Sequence, residues 1–189
     1  MLLCKIDSKA EQYKDIALSY LFLANNLHFV VEKVRTTNLK YILGHEWILE
    51  HERKVRQYAV NYESTSWSKV LSCLPENQEM SVEMVKECFR QFNSAFDEVY
   101  RKQLLWVVVD GKLRDEIKVS IAKQLVPEYK NFYDANLGSL SGERNLRALV
   151  RFAPDDLNNY LSDLFHGTDI SGSSSFSSSS RGSRCLPSI

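Results

Sequence analysis

Residues 13–34 repeat apolar side chains at alternating steps of three and four, the spacing that places them on one face of an α-helix. Further apolar residues outside that stripe leave only a narrow polar side, so we expect this helix to lie between neighbours. A second amphipathic run follows at residues 47–74. Two such segments in succession favour helices packed against one another, which is typical of a scaffold rather than of a catalytic pocket.

The connection between these two helices is predicted from residues that interrupt the periodicity. We expect the chain to reverse between about Arg35 and His45, because Thr36-Thr37-Asn38 breaks the pattern and Gly44 follows. Within the second helix, Ser64-Thr65-Ser66 is predicted to weaken the middle and to mark a kink. The second helix should then return alongside the first.

Three further helical segments are predicted downstream. Ser81 is the predicted N-cap of a third helix, whose apolar side is rich in phenylalanine. A fourth helix has its apolar positions between Leu113 and Leu125 and is expected to bend or break at Pro127, which removes an internal hydrogen bond. A short last helix is predicted to begin at Pro154-Asp155-Asp156, with proline at a first helical position and acidic residues in the first turn.

These segments together predict an all-α fold, an antiparallel helical bundle of four long helices and a short terminal one. Residues 106–109 have strand propensity, but Asp110-Gly111 ends the run and no other segment offers a partner, so we expect an apolar connector there. The bundle is expected to occupy residues 1–166. Residues 167–189 are rich in serine and are predicted to form a disordered tail.

Charge and cysteine content argue against several functional classes. The 189-residue chain has 24 Lys and Arg against 24 Asp and Glu, whereas general nucleic-acid binders usually carry a basic excess. No segment has the apolar run of a signal peptide or of a membrane-spanning helix, so we expect a cytosolic or peripherally attached protein. The four cysteines share no CxxC spacing, which disfavours a zinc site and a disulfide framework and favours a reducing compartment; they are Cys4, Cys73, Cys88 and Cys185.

The residue patterns contain no convincing catalytic or metal-binding motif. His45-Glu46 resembles the start of the zinc-protease HExxH sequence, but Leu49 occupies the position of the second histidine and His51 lies off that face. The sequence also contains no Gly-x-Ser-x-Gly motif, glycine-rich phosphate loop or Cys/His dyad. We therefore predict no enzymatic activity, no catalytic residue, no metal and no cofactor.

One basic cluster precedes the last helix. Arg144, Arg147 and Arg151 are spaced by three and four residues, so they would share a face if this segment is helical. Two interpretations remain open, a solvated surface whose arginines pair with acidic residues elsewhere, and an anchor for lipid phosphates. Each basic side chain near an anionic leaflet contributes about 1 kcal/mol, so three would not hold a protein on a membrane alone. Further attraction would have to come from other bound proteins or from Lys112, Lys118 and Lys123.

Several ordered segments of the chain resemble a known family. They include YLFLANNLHFVVEKV at residues 20–34, KVRQYAVNYESTSWSKV at residues 54–70 and PDDLNNYLSDLF at residues 154–165, with shorter ones at residues 44–47, 92–100, 106–110 and 113–114. Collinearly from about Cys4 to Gly167, the chain is similar to the plant branch of the Exo70 family of exocyst complex subunits. Members of that family are longer rods of stacked helical bundles. The resemblance therefore implies only the C-terminal portion of such a rod, and we expect an uncovered apolar patch on the first helix that self-associates or binds a partner.

The resemblance implies a non-catalytic protein of the exocyst, which tethers secretory vesicles at the plasma membrane in exocytosis. Implied partners are other exocyst subunits, small Rho-type GTPases or regulatory proteins, and an anionic phosphoinositide surface, with a cytoplasmic location peripheral to the plasma membrane. The family's lipid-contacting pair of lysines corresponds to Ala148 and Arg151, with Arg147 adjacent as a substitute for the first. An alternative function is a soluble helical adaptor that docks regulatory or immune proteins without membrane contact.

Overall fold

The computed structural model describes residues 2–75, 80–140 and 149–167, and its helices confirm the predicted all-α fold. The α-helices of these ranges are α1 (Leu2–Ala10), α2 (Ile16–Thr36), α3 (Leu39–Leu71), α4 (Val82–Leu104), α5 (Gly111–Asn136) and α6 (Leu157–Ser162). Short 3-10 helices occur at Gly138–Leu140 and Pro154–Asp156, and the second of these together with α6 forms the predicted last helix. Residues 168–189, which make up nearly all of the predicted tail, lie outside the described ranges. Within those ranges, no helix is both long enough and apolar enough to cross a bilayer.

Helix α2 is the predicted first long helix, and Asp15 defines its start. The Asp15 side chain accepts hydrogen bonds from the backbone N–H groups of Ala17 and Leu18 at 2.9 and 3.1 Å, the arrangement of an N-cap. Among residues 16–31 only Ile16 and Phe29 are exposed, which confirms that α2 lies between neighbours. The buried side chains form the expected stripe at Ala17, Leu21, Ala24, Leu27, Val31 and Val34.

Helix α1 is not among the predicted elements, since nine residues are too few for a clear period. It lies antiparallel to the start of α2. The Ser19 hydroxyl donates to the Ala10 carbonyl at 2.9 Å, and Leu3 lines a small cavity together with Leu27. The amino end of α1 therefore points toward the connection between α2 and α3.

The chain reverses within the predicted range of residues 35–45. Only Thr37 and Asn38 separate the two helices, and α3 already begins at Leu39. The backbone of α3 departs from helical geometry at Gly44, where φ is 84° and ψ is 166°. Because glycine has no Cβ, it adopts this left-handed φ without the strain that other residues would meet. The result is an antiparallel hairpin of two long helices with a kinked end.

The prediction of a kink at Ser64-Thr65-Ser66 is wrong. Helix α3 keeps helical dihedral angles through this stretch. The Thr65 hydroxyl donates to the carbonyl of Asn61 at 2.7 Å, a bond to the residue four positions back that destabilises a helix only slightly. Trp67 then packs into the core with 3% of its surface exposed. This tertiary packing outweighs the weak helix propensity of the three residues.

An aromatic core joins α4, α5 and the last helix. Helix α4 begins as predicted after Ser81, whose hydroxyl accepts the N-cap hydrogen bond. Its phenylalanine-rich side is buried, which confirms the predicted apolar face. Phe92 stacks on Tyr129 of α5 with ring centroids 4.2 Å apart, and Phe96 contacts Phe152 at 4.7 Å. These ring contacts hold α4 between α5 and the C-terminal segment.

Helix α5 is predicted to bend or break at Pro127, and the structure excludes the break. It runs without interruption over Gly111–Asn136 although proline lacks the backbone N–H donor. The part of α5 after the proline is held by the core, since Tyr129 and Phe132 are buried and the Tyr129 hydroxyl donates to the Phe152 carbonyl at 2.7 Å. These tertiary contacts offset the lost helical hydrogen bond.

The apolar connector at residues 106–109 does have a backbone partner, which corrects the prediction that nothing pairs with it. Two hydrogen bonds of 3.2 Å join it to residues 165–167, which we call the C-terminal strap. Val107 and His166 form an antiparallel β-bridge, and the neighbouring residue Phe165 is fully buried. A partner of three residues has no alternating pattern, so the sequence alone could not reveal it.

Candidate functional site

Of the three arginines predicted to contact lipid, one lies in the described part of the chain. Arg144 and Arg147 fall within residues 141–148, outside the described ranges, as does Ala148. Arg151 is described, and 52% of its side chain is exposed. The geometry of the candidate site is therefore that of Arg151 and the groups that contact it.

Arg151 lies on a short segment that is anchored to the bundle on both sides. Before it, the side-chain amide of Asn93 on α4 donates to the Leu149 carbonyl at 2.7 Å. After it, the Tyr129 hydroxyl on α5 donates to the Phe152 carbonyl at the same distance of 2.7 Å. Because two helices hold these carbonyls, the backbone of Arg151 is fixed while its side chain reaches solvent.

A carboxylate already contacts the guanidinium of Arg151. The Nη2 atom of Arg151 donates to Oδ1 of Asp97 at 3.0 Å, and Oδ2 of Asp97 lies 2.8 Å from Nε of Arg101. The guanidinium also lies over the ring of Phe152, 5.1 Å from its centroid. Two arginines sharing one aspartate leave a single surplus positive charge in this group. An incoming phosphate would have to compete with Asp97 for the guanidinium.

A second carboxylate adds negative charge to this surface. The Tyr100 hydroxyl donates to Oδ2 of Asp163 at 3.4 Å. Burial raises the pKa of Tyr100 to about 12. The negative charge of Asp163, and to a smaller extent that of Asp97, acts in the same direction. The tyrosine is therefore a neutral hydrogen-bond donor at physiological pH. Both aspartates oppose the approach of an anion near Arg151.

The three lysines predicted to add positive charge are not equivalent. Lys118 has a structural role, because its ammonium donates to the Ser162 carbonyl at the end of α6 and lies 3.0 Å from Nε2 of His166. Burial lowers the pKa of Lys118. Lys112 lies 3.9 Å from an acidic residue one helical turn further along α5, and Lys123 is exposed. Lys118 is thus engaged in holding the C-terminal strap.

Histidine and cysteine side chains form no metal-ligand cluster in the described part of the chain. His51 is buried, its ring stacks on Trp47 at 3.8 Å, and its Nδ1 atom lies 2.8 Å from the Trp47 carbonyl oxygen. His45 is exposed at the kinked end of α3. Burial raises the pKa of the Cys73 and Cys88 thiols, so both stay protonated at neutral pH.

A second surface lies where α2 and α3 meet, and we call residues 36–45 the hairpin end. Its apolar side chains face solvent, with Tyr41 78% and Ile42 77% exposed and Leu39 and Leu43 more than 40% exposed. The apolar patch expected on the first long helix is not found there, because Ile16 and Phe29 are the large apolar residues of α2 that are exposed in the described ranges, and the exposed apolar side chains of the hairpin end belong to α3. A cavity of about 620 Å³ beside the hairpin end is lined by Arg35, Lys40, Tyr41, His45, Ile48 and Glu52.

Known proteins with related sequences belong to the exocyst. A family model for the C-terminal region of the Exo70 exocyst complex protein matches residues 1–163. Exocyst complex component EXO70B1 of Arabidopsis thaliana is 37% identical over 175 residues, which cover 89% of this chain and 28% of that protein. EXO70A3 of the same plant is 34% identical over 174 residues, covering 87% of this chain and 30% of the relative. Exocyst complex component 7 of Drosophila melanogaster is 29% identical, and the match covers 85% of this chain and 25% of that protein.

The fold is also similar to that of an exocyst protein of known structure. A structure of S. cerevisiae Exo70 superposes with a TM-score of 0.68 at 26% identity, covering 80% of this chain and 28% of that chain. The chain spans about 30% of the length of the Arabidopsis relatives it matches. Because the matched family model is the C-terminal one, both the recognised family and the matched portion are confirmed. The chain belongs to the Exo70 family of exocyst complex subunits and corresponds to their C-terminal portion.

Proposed function

We propose that this chain acts as a non-catalytic helical part of an exocyst tether, which docks secretory vesicles at the plasma membrane in exocytosis. The observation that carries the proposal is the match of residues 1–163 to the C-terminal model of the Exo70 family. The relatives are named as exocyst complex components, so other exocyst subunits are the proposed partners. A scaffold role fits a bundle in which the buried hydroxyls of Tyr62 and Tyr129 donate to a side chain and to a backbone carbonyl of other elements.

The proposal includes contact with anionic phosphoinositides through Arg144, Arg147 and Arg151. Support comes from Arg151, whose side chain is half exposed on a firmly anchored backbone. Three basic groups contribute about 3 kcal/mol at an anionic leaflet, or roughly a hundredfold in affinity. This contact would therefore assist attachment that other subunits share, with the chain peripheral to the cytoplasmic face of the plasma membrane.

A second candidate function is a soluble adaptor that docks proteins without membrane contact. The ion pair between Arg151 and Asp97 favours it, because the aspartate already satisfies part of the guanidinium. Partners of this kind would be small Rho-type GTPases or other regulatory proteins, including immune proteins. They would use the grooves between helices or the apolar hairpin end.

Vesicle flotation distinguishes the two functions. The chain is mixed with neutral vesicles and with vesicles that contain a bisphosphorylated phosphoinositide, at two salt concentrations. We expect a larger floated fraction with the anionic vesicles than with the neutral ones, a difference that salt weakens and that is lost in the combined Arg144→Ala, Arg147→Ala and Arg151→Ala variant. The matched control replaces three exposed basic residues elsewhere, Lys14, Arg53 and Arg56, with alanine and should float like the wild type.

Equal flotation with neutral and anionic vesicles, or equal loss in the control variant, would remove the membrane part of the proposal. Pull-down with purified exocyst subunits tests the tethering part separately. We expect the triple-arginine variant to retain those subunits. Failure of the wild-type chain to retain any of them, with retention of a regulatory protein instead, would favour the adaptor.

A further inference from the structure

A small exposed apolar surface lies where the connector passes between α2 and α5. Val107 and Val109 of the connector are 54% and 76% exposed. Trp106 and Val108, which alternate with them, are buried. The backbone N–H of Val109 donates to Oδ1 of Asn25 on α2 at 3.3 Å. Because side chains of an extended segment alternate between its two faces, both exposed valines lie on the solvent side of the connector.

Phe29 extends this apolar surface onto α2. It lies one helical turn after Asn25, on the same face of the helix, and is 60% exposed. Helix α1 packs on another face of α2, where Leu23 and Leu27 line a small cavity together with Leu3. Residues two positions apart lie on opposite sides of a helix, so α1 leaves Asn25 and Phe29 uncovered.

A guanidinium without a carboxylate partner borders the same surface. Nη1 of Arg114 donates to the Val108 carbonyl at 3.2 Å, so this side chain lies beside the connector. Its Nε atom is buried without a hydrogen-bond partner, and Arg114 forms no ion pair in the described part of the chain. Asp110 instead accepts from the Leu113 N–H and lies 3.3 Å from Nε2 of His28. A carboxylate brought to the Nη atoms of Arg114 would therefore add a charge-assisted hydrogen bond.

The charges around this surface favour a protein partner over a membrane. Residues 110–118 contain three acidic and three basic residues, so the start of α5 has no basic excess. Lys118 is already engaged with the Ser162 carbonyl and with His166. An anionic leaflet attracts clusters of basic side chains. A single unpaired guanidinium beside apolar side chains is instead complementary to one carboxylate on an otherwise apolar protein segment.

We propose that Phe29, Val107, Val109 and Arg114, which we call the connector face, bind a protein segment that carries an acidic residue next to apolar side chains. The carboxylate of the partner pairs with the guanidinium, and its apolar side chains cover the two valines and the phenylalanine. The connector face does not include Arg151, so this interaction is separate from the proposed phosphoinositide contact.

Peptide selection tests the connector face with the purified chain. A random-peptide library displayed on phage is selected on the immobilised chain, and we expect enriched peptides to carry Asp or Glu close to two apolar residues. Fluorescence anisotropy with a labelled synthetic copy of the most enriched peptide then measures affinity. Arg114→Gln should weaken binding at least about tenfold, because it removes one member of a charge pair. Val109→Ser should weaken it about fivefold through lost apolar contact.

Two matched variants control for charge and for apolar surface. Lys130→Gln removes a positive charge further along α5, from a side chain that is 56% exposed. Val119→Ser removes a valine of α5 that is 50% exposed. Both should bind the peptide like the wild type. Arg114→Lys keeps the charge but loses the planar pair of donors, so it should bind with intermediate affinity.

The proposal is overturned if no peptide is enriched, if the enriched peptides lack acidic residues, or if Arg114→Gln binds as tightly as the wild type. Melting temperatures of all variants separate lost binding from lost folding, and Val109→Ser should leave the melting temperature unchanged because its position is 76% exposed. Flotation with anionic vesicles that is lost in Arg114→Gln and Val109→Ser but kept in both controls would assign the connector face to a membrane instead.

Discussion

The hydroxyl of Ser120 on α5 donates a hydrogen bond of 2.6 Å to the Oε2 atom of Glu63 on α3. The side-chain amide of Gln124 donates to the same oxygen at 3.3 Å. Glu63 is 7% exposed, and the hydroxyl and the amide that donate to it are both neutral. Burial consequently raises the pKa of its carboxyl group. Two neutral donors therefore hold a buried acid at the interface of the two helices.

We expect Glu63→Gln to stabilise the bundle at neutral pH by on the order of 1 kcal/mol, because the amide oxygen can accept both hydrogen bonds without a buried charge. The folded-state pKa of Glu63 lies above the unfolded one, so its contribution to stability is complete at low pH and is lost as pH rises through the folded pKa. Thermal unfolding between pH 4 and pH 8 should show that the melting temperature of the variant, relative to that of the wild type, increases as pH rises. The exposed Glu98→Gln should show little of this trend. A Glu63→Gln protein less stable than the wild type at pH 8 would contradict the prediction.

Gly44→Ala should destabilise the chain by about 1–2 kcal/mol through the backbone alone. Gly44 has a φ of 84°, and a Cβ added there would meet no atom within 4 Å, so crowding plays no part. Gly138→Ala is the matched control, because a Cβ at Gly138 also meets no atom within 4 Å, but without a left-handed φ. Chemical denaturation should show a lower free energy of unfolding for Gly44→Ala and an unchanged one for Gly138→Ala. Equal effects would mean that the kink of α3 does not depend on glycine.

Long periodic segments of this fold could be predicted from the sequence, whereas short elements could not. The apolar stripe of α2 and the phenylalanine-rich side of α4 each repeat the helical spacing over many residues. Single residues that depart from the spacing therefore did not hide the pattern. Helix α1 and the C-terminal strap are too short to carry a period. The continuity of α3 at residues 64–66 and of α5 at Pro127 depends on core contacts of Trp67 and Tyr129, which local propensity does not contain.

The candidate site could be predicted only in part, because some of its contacts join residues that are far apart in the sequence. The spacing of the basic cluster identified Arg151 as a surface cation, and its side chain is half exposed. Its partner Asp97 lies on α4, and a contact so distant in sequence leaves no local signal. The apolar residues 39–43 of the hairpin end were visible in the sequence, but the sequence could not show whether they are exposed or covered by a neighbour.

Two truncations should locate the end of the folded bundle. Removing residues 168–189 is expected to leave the melting temperature unchanged, as the predicted boundary at 166–167 requires. Removing residues 165–189 also deletes Phe165, which is fully buried, and the backbone hydrogen bonds to the connector. That loss should cost about 3–5 kcal/mol, the usual effect of removing a buried phenylalanine side chain. Equal stability of the two truncated proteins would show that the C-terminal strap contributes nothing.

Asp97→Asn should strengthen binding to phosphoinositide vesicles if Arg151 contacts lipid. Asp97 pairs with both Arg151 and Arg101, and its neutralisation releases them for an anionic leaflet. A gain of about 1 kcal/mol, or roughly fivefold in affinity, is expected for one charge. Asp134→Asn, which removes a charge that lies 3.8 Å from Lys130 on α5, is the matched control for net charge.

The gain should disappear when Arg151→Ala is added to Asp97→Asn, because the released guanidinium is then missing. Vesicle sedimentation at two salt concentrations measures each variant, and the difference should shrink at high salt, where exposed charges are screened. An equal gain from Asp134→Asn would show that binding responds to net charge alone. Persistence of the gain without Arg151 would assign the contact to Arg101, and the lipid-facing surface would then lie on α4 instead of on the segment before the last helix.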